Sequence, residues 1–195
     1  MGGGGLIFPP RFWWGTATSS HQVEGDNVND WSEWEERPGG VWGGHRSGRA
    51  CDQFHLYPRD FAQLADLGFS AHRFSLEWSR IEPEEGHFSE QALDHYRRVV
   101  DTCRESGMEP FVNLHHFTNP LWLSRRGGWL NPQVVDWFGR DAEAVVRFFD
   151  HSFMRLFPAT TVRLDRLRSP RFRLSRLPNA VQFHLMGGAV QIGRA

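Results

Sequence analysis

Apolar positions in the first 150 residues fall into short runs and helical stripes that take turns along the chain. Residues 12–20 (FWWGTATSS) pass from aromatic to small side chains, as a buried strand ending at a cleft would. Residues 25–49, rich in Gly, Asn, Asp and Trp, show no period and are expected to form a long loop. Pro58 can open a helix in which Phe61, Leu64, Ala65 and Leu67 keep helical spacing until Gly68 closes it. Residues 70–76 (SAHRFSL) predict a short strand. Ser89 can cap a second helix with its apolar stripe at Ala92, Leu93, Tyr96, Val99, Val100 and Cys103, and Gly107 stands where a left-handed C-cap belongs. Residues 109–114 (EPFVNL) predict a third strand, with Met108 a core residue before it. Asn131 and Pro132 form an N-cap and first-position pair for a third helix running to about Phe149.

Strand and helix therefore alternate three times, which implies a parallel sheet with right-handed crossovers. In such folds the chemistry gathers where strands end and loops lead into helices. Polar side chains fall at those places: Gln22 after the first strand, Arg73 and Glu77 at the second, His115 and His116 after the third. No further internal repeat is present.

Charge divides the chain. Residues 1–150 carry 14 Arg against 22 Asp and Glu, a net of −8, whereas residues 151–195 carry 8 Arg against Asp165 alone, a net of +7. The chain has no Lys, and all 9 Trp precede position 138. A break this sharp is a boundary signal, which need not separate two folded domains: residues 1–150 are expected to form one unit and residues 151–195 an Arg-rich tail. Two cysteines, Cys51 and Cys103, make no disulfide framework or metal-ligand pattern and suit a reducing, cytoplasmic setting. No apolar run approaches the roughly 18 residues of a spanning helix, and residues 1–10 hold no readable secretory signal, so no membrane association is expected.

Gln22, Glu24, Asn27, Asp30 and His116 are interleaved with Trp31, Trp34, Phe117, Trp122 and Trp129. Sugars combine a rim of hydroxyls with flat C–H faces, so polar forks beside aromatic platforms suit a carbohydrate. Amides and imidazoles orient hydroxyls well because each donates and accepts. The plainer readings are packing for any single Trp, a loop residue satisfying backbone groups for Gln22, neutralisation of Glu77 or another carboxylate for Arg73, and structural ion pairing for Glu24 and Glu77. His115 is expected to be structural. His115 and His116 have no third ligand at a suitable spacing, so zinc is not expected.

FWWGTATSSHQVEG (12–25), HRFSLEWSRIEPEEG (72–86) and NLHHFTNPLWL with GGW (113–129) resemble glycoside hydrolase family 1, the β-glucosidase and β-galactosidase family. The likeness covers roughly residues 8–150, with Asp26 a departure where the family often has a small residue. It implies a (β/α)8 TIM barrel that hydrolyses β-glycosides with retention, with no metal or cofactor, and a small-molecule glycoside as its partner. Under it, Gln22 and His116 bind sugar hydroxyls, Phe117 fills the motif's aromatic position, and Arg73 supports the nucleophilic carboxylate, whose pKa a guanidinium fork lowers.

Retaining glycosidases use two carboxyl groups about 5–5.5 Å apart. The family's Asn-Glu-Pro motif for the acid/base, and its nucleophile motif ending in Asn-Gly, are both absent from this sequence. Three units cannot close a barrel that takes about 250 residues. The expectation is therefore the first three β/α units of a TIM barrel, lacking both catalytic Glu, poorly stable alone and inactive. A frameshift or truncation of a GC-rich gene near codon 150 would account for the Arg-rich tail. The competing readings are a non-catalytic sugar-binding relic and, from Arg163, Arg166, Arg168, Arg171, Arg173 and Arg176, a nucleic-acid binder. Charge runs are weak evidence alone, and no nucleic-acid partner is expected.

Overall fold

The structure is a computed structural model, and it describes residues 7–10, 12–149, 181–186 and 189–194. Strands β1 (Gly15–Ala17), β2 (Ala71–Ser75) and β3 (Glu109–Asn113) form one parallel sheet in the order β1-β2-β3. Helix α3 (Gln53–Asp66) links the first pair and α5 (Glu90–Glu105) the second. Shorter helices decorate the segments after each strand: α1 (Ser20–Val23), α2 (Asp30–Glu35), α4 (Trp78–Ile81) and α6 (Leu121–Arg125), followed by the long α7 (Val134–Phe148).

The crossover helices follow their sequence signals. Ser89 Oγ accepts from the Ala92 amide at 3.2 Å, and all six predicted stripe residues of α5 are buried. Both α3 and α5 end in a Schellman turn. The amides of Gly68 and Phe69 bond the carbonyls of Ala65 and Leu64, and those of Gly107 and Met108 bond Arg104 and Cys103. Gly68 and Gly107 have φ of +84° and +78°, a conformation glycine adopts without a Cβ penalty. Each turn hands an apolar residue, Phe69 or Met108, to the approach of the next strand.

One sheet face is covered. Phe74 and Val112 share a rung and pack, with Phe61 of α3, Tyr96 and Val100 of α5, and Val145 of α7, into the main core. Burying one such aromatic or aliphatic side chain stabilises the fold by about 1.5–3 kcal/mol. His72, on this side next to Phe61, bridges Thr16 and Thr18 at 2.7 and 3.3 Å and so staples β1 to β2. Burial holds its pKa down to about 4. The opposite face carries the rung Ala17–Arg73–Phe111, and next to it Trp13 meets Phe111 edge-on at 5.3 Å. Here Arg73 is exposed and Trp13 is 39 % exposed. A second cluster, Trp78, Leu123, Val134, Trp137 and Phe138, joins α4, α6 and α7.

Several expectations are corrected. The first strand covers three residues, and Ser20 already belongs to α1. The expected loop over 25–49 contains α2, held by a reciprocal cap in which Asn29 Oδ1 accepts from the Ser32 amide and the Asn29 amide donates to Ser32 Oγ. Pro58 lies inside α3 rather than opening it. An interior proline there sacrifices a backbone bond. Tertiary contacts outweigh that cost: Phe54 stacks on His95 at 3.7 Å and carries the Arg80 guanidinium over its ring at 4.1 Å. Helix α7 begins at Val134, because Asn131 Oδ1 accepts from the Gln133 amide and forms a turn ahead of the helix.

Strands β4 (Val181–Met186) and β5 (Ala189–Arg194) form a separate antiparallel pair that the sequence reading did not anticipate. The boundary at 150/151 and the run Arg163 to Arg176 lie outside the described residues.

Candidate functional site

The segments leaving β1, β2 and β3 meet around one carboxyl group. Glu77, immediately after β2, is 0 % exposed. Its oxygens accept from Ser20 Oγ at 2.8 Å, Asn29 Nδ2 at 3.2 Å, Ser79 Oγ at 2.8 Å and Thr118 Oγ1 at 3.0 Å. Ser20 follows β1, Thr118 follows β3, and Asn29 caps α2, so one side chain ties all three strand ends together. This corrects the expectation of an ion pair: Glu77 is held by neutral donors, and among the described residues Arg73 does not reach it.

Glu24 does pair with a cation. Arg80 Nε lies 3.1 Å from its Oε2, and the Tyr96 hydroxyl donates to its Oε1 at 2.9 Å. The same hydroxyl accepts from the Glu77 amide at 3.0 Å. Burial pushes the Glu24 carboxyl up to about 7, against the lowering influence of Arg80. Arg80 also donates to Asn27 Oδ1 at 2.6 Å and to the Gly25 carbonyl, and Asn27 Nδ2 donates to the Ser20 carbonyl at 3.2 Å.

A third knot fixes α2 against the segment after β3. Asp30 accepts from the Asn119 amide and from Asn119 Nδ2, both at 2.8 Å, and from Ser124 Oγ at 3.1 Å. Trp129 Nε1 donates to Asn119 Oδ1 at 2.8 Å, and Trp122 Nε1 donates to the Glu82 carbonyl at 2.9 Å. His115 is half-buried, lies 3.2 Å from Asn119 Oδ1 and packs edge-on against Trp129. Of the polar and aromatic residues expected to line a sugar site, Glu24, Asn27, Asp30, Trp122 and Trp129 thus spend their polar groups inside the protein.

What remains outward-facing is a smaller set. Gln22 on α1 is exposed, and its Oε1 accepts from Ser19 Oγ at 2.7 Å. His116 is exposed, three residues past β3. Partial burial, and then the charge of nearby Arg73, hold its pKa below the ordinary imidazole value. A neutral imidazole both donates and accepts, which suits hydroxyl recognition. Phe117 is half-buried, with the rings of His21, Trp31 and His116 edge-on to it at 5.8, 5.4 and 5.4 Å. Trp31 and Trp34 are 43 % and 44 % exposed on α2. Gln22, His116 and Phe117 stand beyond the C-terminal ends of β1 and β3, whereas Arg73 lies in the middle of β2, on the sheet face opposite the main core. Among the described residues there is no group of three potential metal ligands.

Sequence reasoning missed the supports: Ser20, Asn29, Ser79, Thr118 and Asn119. Their signal was a concentration of Ser, Thr and Asn just past strand ends, where small hydrogen-bonding side chains bond backbone and neighbours rather than ligands.

A strand order of 1-2-3 fits either the arc of a closed barrel or one half of a doubly wound sheet, and known proteins decide between them. The glycosyl hydrolase family 1 profile matches residues 6–158. β-Glucosidase A of Thermotoga maritima is 37% identical over 149 residues, covering 73% of this chain and 33% of that protein. The solved β-glycosidase BGL167 is 49% identical with a TM-score of 0.72, over 76% of this chain and 36% of that one. A family 1 β-glucosidase structure from Thermotoga maritima superposes with a TM-score of 0.70 at 36% identity, over 73% of this chain and 34% of that one. The chain belongs to glycosyl hydrolase family 1, and its three-stranded sheet is part of a TIM barrel. It spans about a third of the length of the curated relatives it matches.

Proposed function

We propose that residues 12–149 form the sugar-gripping wall of a retaining β-glycoside hydrolase site, and that the 195-residue chain holds a β-glucoside without cleaving it. Gln22 and His116 bond hydroxyls of the sugar, Phe117 stiffens the wall behind them, and Arg73 supports a nucleophilic carboxylate in the complete site. The observation that carries this reading is the knot at Glu77, which ties the segments bearing Gln22, His116 and Phe117 to the end of β2, the strand that bears Arg73. The family's naming supports the substrate class, and a β-glucosidase from Thermotoga maritima has been solved in complex with castanospermine.

Cleavage with retention needs one carboxylate to attack the anomeric carbon and a second to protonate the leaving oxygen. Glu77 is saturated by four donors, and Glu24 is engaged by Arg80 and Tyr96, so neither can approach a substrate. Methyl β-D-glucopyranoside is therefore expected to bind saturably in calorimetry, with affinity falling about tenfold in Gln22→Ala, the equivalent of one good polar contact. 4-Nitrophenyl β-D-glucopyranoside is expected to stay intact. Hydrolysis above background by the purified chain overturns the reading of inactivity, and absence of glucoside binding overturns the sugar site itself.

A further inference from the structure

We propose that Glu24 is a positioning residue for the sugar-binding face of α1: by gripping Arg80 and Tyr96 it fixes residues 20–27, and glucoside affinity follows the integrity of that grip. The inference rests on the sugar-binding reading above and adds a control over it.

Glu24 is the C-cap of α1, its amide bonded to the Ser20 carbonyl at 2.9 Å, and Gln22 lies two residues before it. The helix has only four residues, so its own backbone bonds cannot hold its orientation. Its placement comes from outside: Ser20 Oγ on Glu77 at the start, and the Glu24 carboxyl on Arg80 and Tyr96 at the end. Arg80 extends the grip by bonding Asn27 Oδ1 and the Gly25 carbonyl, while its guanidinium lies over Phe54 of α3. A single cation thus draws the whole 24–27 segment onto α4, and among the described residues Glu24 is the carboxylate that pairs with it.

That grip depends on charge, and Glu24 titrates in the neutral range, at about 7. The groups facing it are Arg80 from α4, Tyr96 from α5 and Glu77 at the start of α4, with His95 of α5 across a small cavity that all but Glu77 and Arg80 line. Burial keeps His95 at about 4, so it stays neutral throughout the neutral range and does not blur the transition. The Glu24 pKa is raised where the side chain is gripped and falls back toward 4.5 wherever the segment opens to water, so protonation favours the gripped state and ionisation loosens residues 20–27. Binding and folding then respond to pH in the same direction. Glucoside affinity falls with rising pH as Glu24 ionises. Because the folded-state pKa is raised, the Glu24 contribution to stability is complete below its ordinary value of 4.5 and is lost as pH rises through about 7. A residue that merely stabilised the fold would leave the hydrogen-exchange protection of residues 20–27 no more pH-dependent than that of the rest of the described chain.

The test uses the full chain, Glu24→Gln and Gln22→Ala, titrated with methyl β-D-glucopyranoside from about pH 6 to about pH 8, alongside hydrogen exchange of the amides of residues 20–27. If only the protonated form grips, wild-type affinity falls about tenfold across that range, in step with the competent fraction. Glu24→Gln, which carries no charge to titrate, is expected to stay at the strong, low-pH affinity throughout, and its amide protection, corrected for intrinsic rates, to be pH-independent. A Glu24→Gln profile that falls like the wild type, or wild-type protection of residues 20–27 that does not change with pH, overturns the positioning role while leaving the sugar site standing. Absence of wild-type glucoside binding at every pH overturns the sugar site and this inference with it.

Discussion

Glu77→Ala is expected to cost about 3–5 kcal/mol of stability, because it strands several buried donors at once. Ser20, Asn29, Ser79 and Thr118 all lose their acceptor in a region where Asn29 and Glu77 are both 0 % exposed and water is excluded. Hydroxyls can turn to find another acceptor, but the Asn29 amide also holds the cap of α2, so the damage spreads to the Trp-bearing helix. Glu77→Gln keeps the shape and one accepting oxygen, and is expected to cost about 1–2 kcal/mol. Urea denaturation followed by tryptophan fluorescence measures both. An alanine variant within about 1 kcal/mol of wild type would show that Glu77 is not the hub of the three strand ends.

Asp141→Asn is expected to stabilise the protein by about 1–3 kcal/mol at neutral pH, an unusual direction for a core substitution. Asp141 sits on the buried face of α7 among Val134, Trp137, Phe138 and Val145, and it is 0 % exposed. Among the described residues neither of its oxygens has a hydrogen-bond partner. Burial, and then the neighbouring Glu82, push its carboxyl well above the ordinary aspartate range. Glu82 itself is raised by burial, although the Gly86 amide, Trp78 and Arg140 oppose the shift. The folded chain therefore holds the Asp141 proton more tightly than the unfolded chain does. Its contribution to stability is complete below the ordinary value of 3.8 and is lost as pH rises toward its folded pKa. Wild type should lose stability between about pH 5 and pH 8, and the asparagine variant should show a shallower loss, with a residual slope from Glu24 and Glu82. Equal slopes in the two proteins would mean that Asp141 finds a partner in solution.

Much of the architecture was written locally. Helix α5 could be read from cap to cap, because Ser89, the six-residue apolar stripe and Gly107 are signals that act within a few residues of one another. That Gln22 and His116 follow strands came from strand–helix alternation alone, since parallel sheets send each strand end into a loop on the same side, whereas Arg73 lies within β2 itself. Helix α2 escaped notice because it has six residues, no apolar stripe, and a stability that comes from Asp30 bonding Asn119 and Ser124, some ninety positions away. Pro58 misled for the same kind of reason: a local rule was outweighed by the packing of Phe54 against His95 and Arg80.

The chain by itself settled the order of its elements, the faces its helices bury and the strand ends at which polar groups gather, all consequences of periodicity and capping over short distances. What the tertiary structure alone decided is the fate of three carboxyl groups: Glu77 as a knot of neutral donors, Glu24 in the grip of Arg80, and Asp141 buried with no partner among the described residues. The reason is physical. A carboxyl group's partners and its pKa are set by groups tens of residues away in sequence and by the water that folding removes, and neither quantity has any signature in the spacing of neighbouring residues.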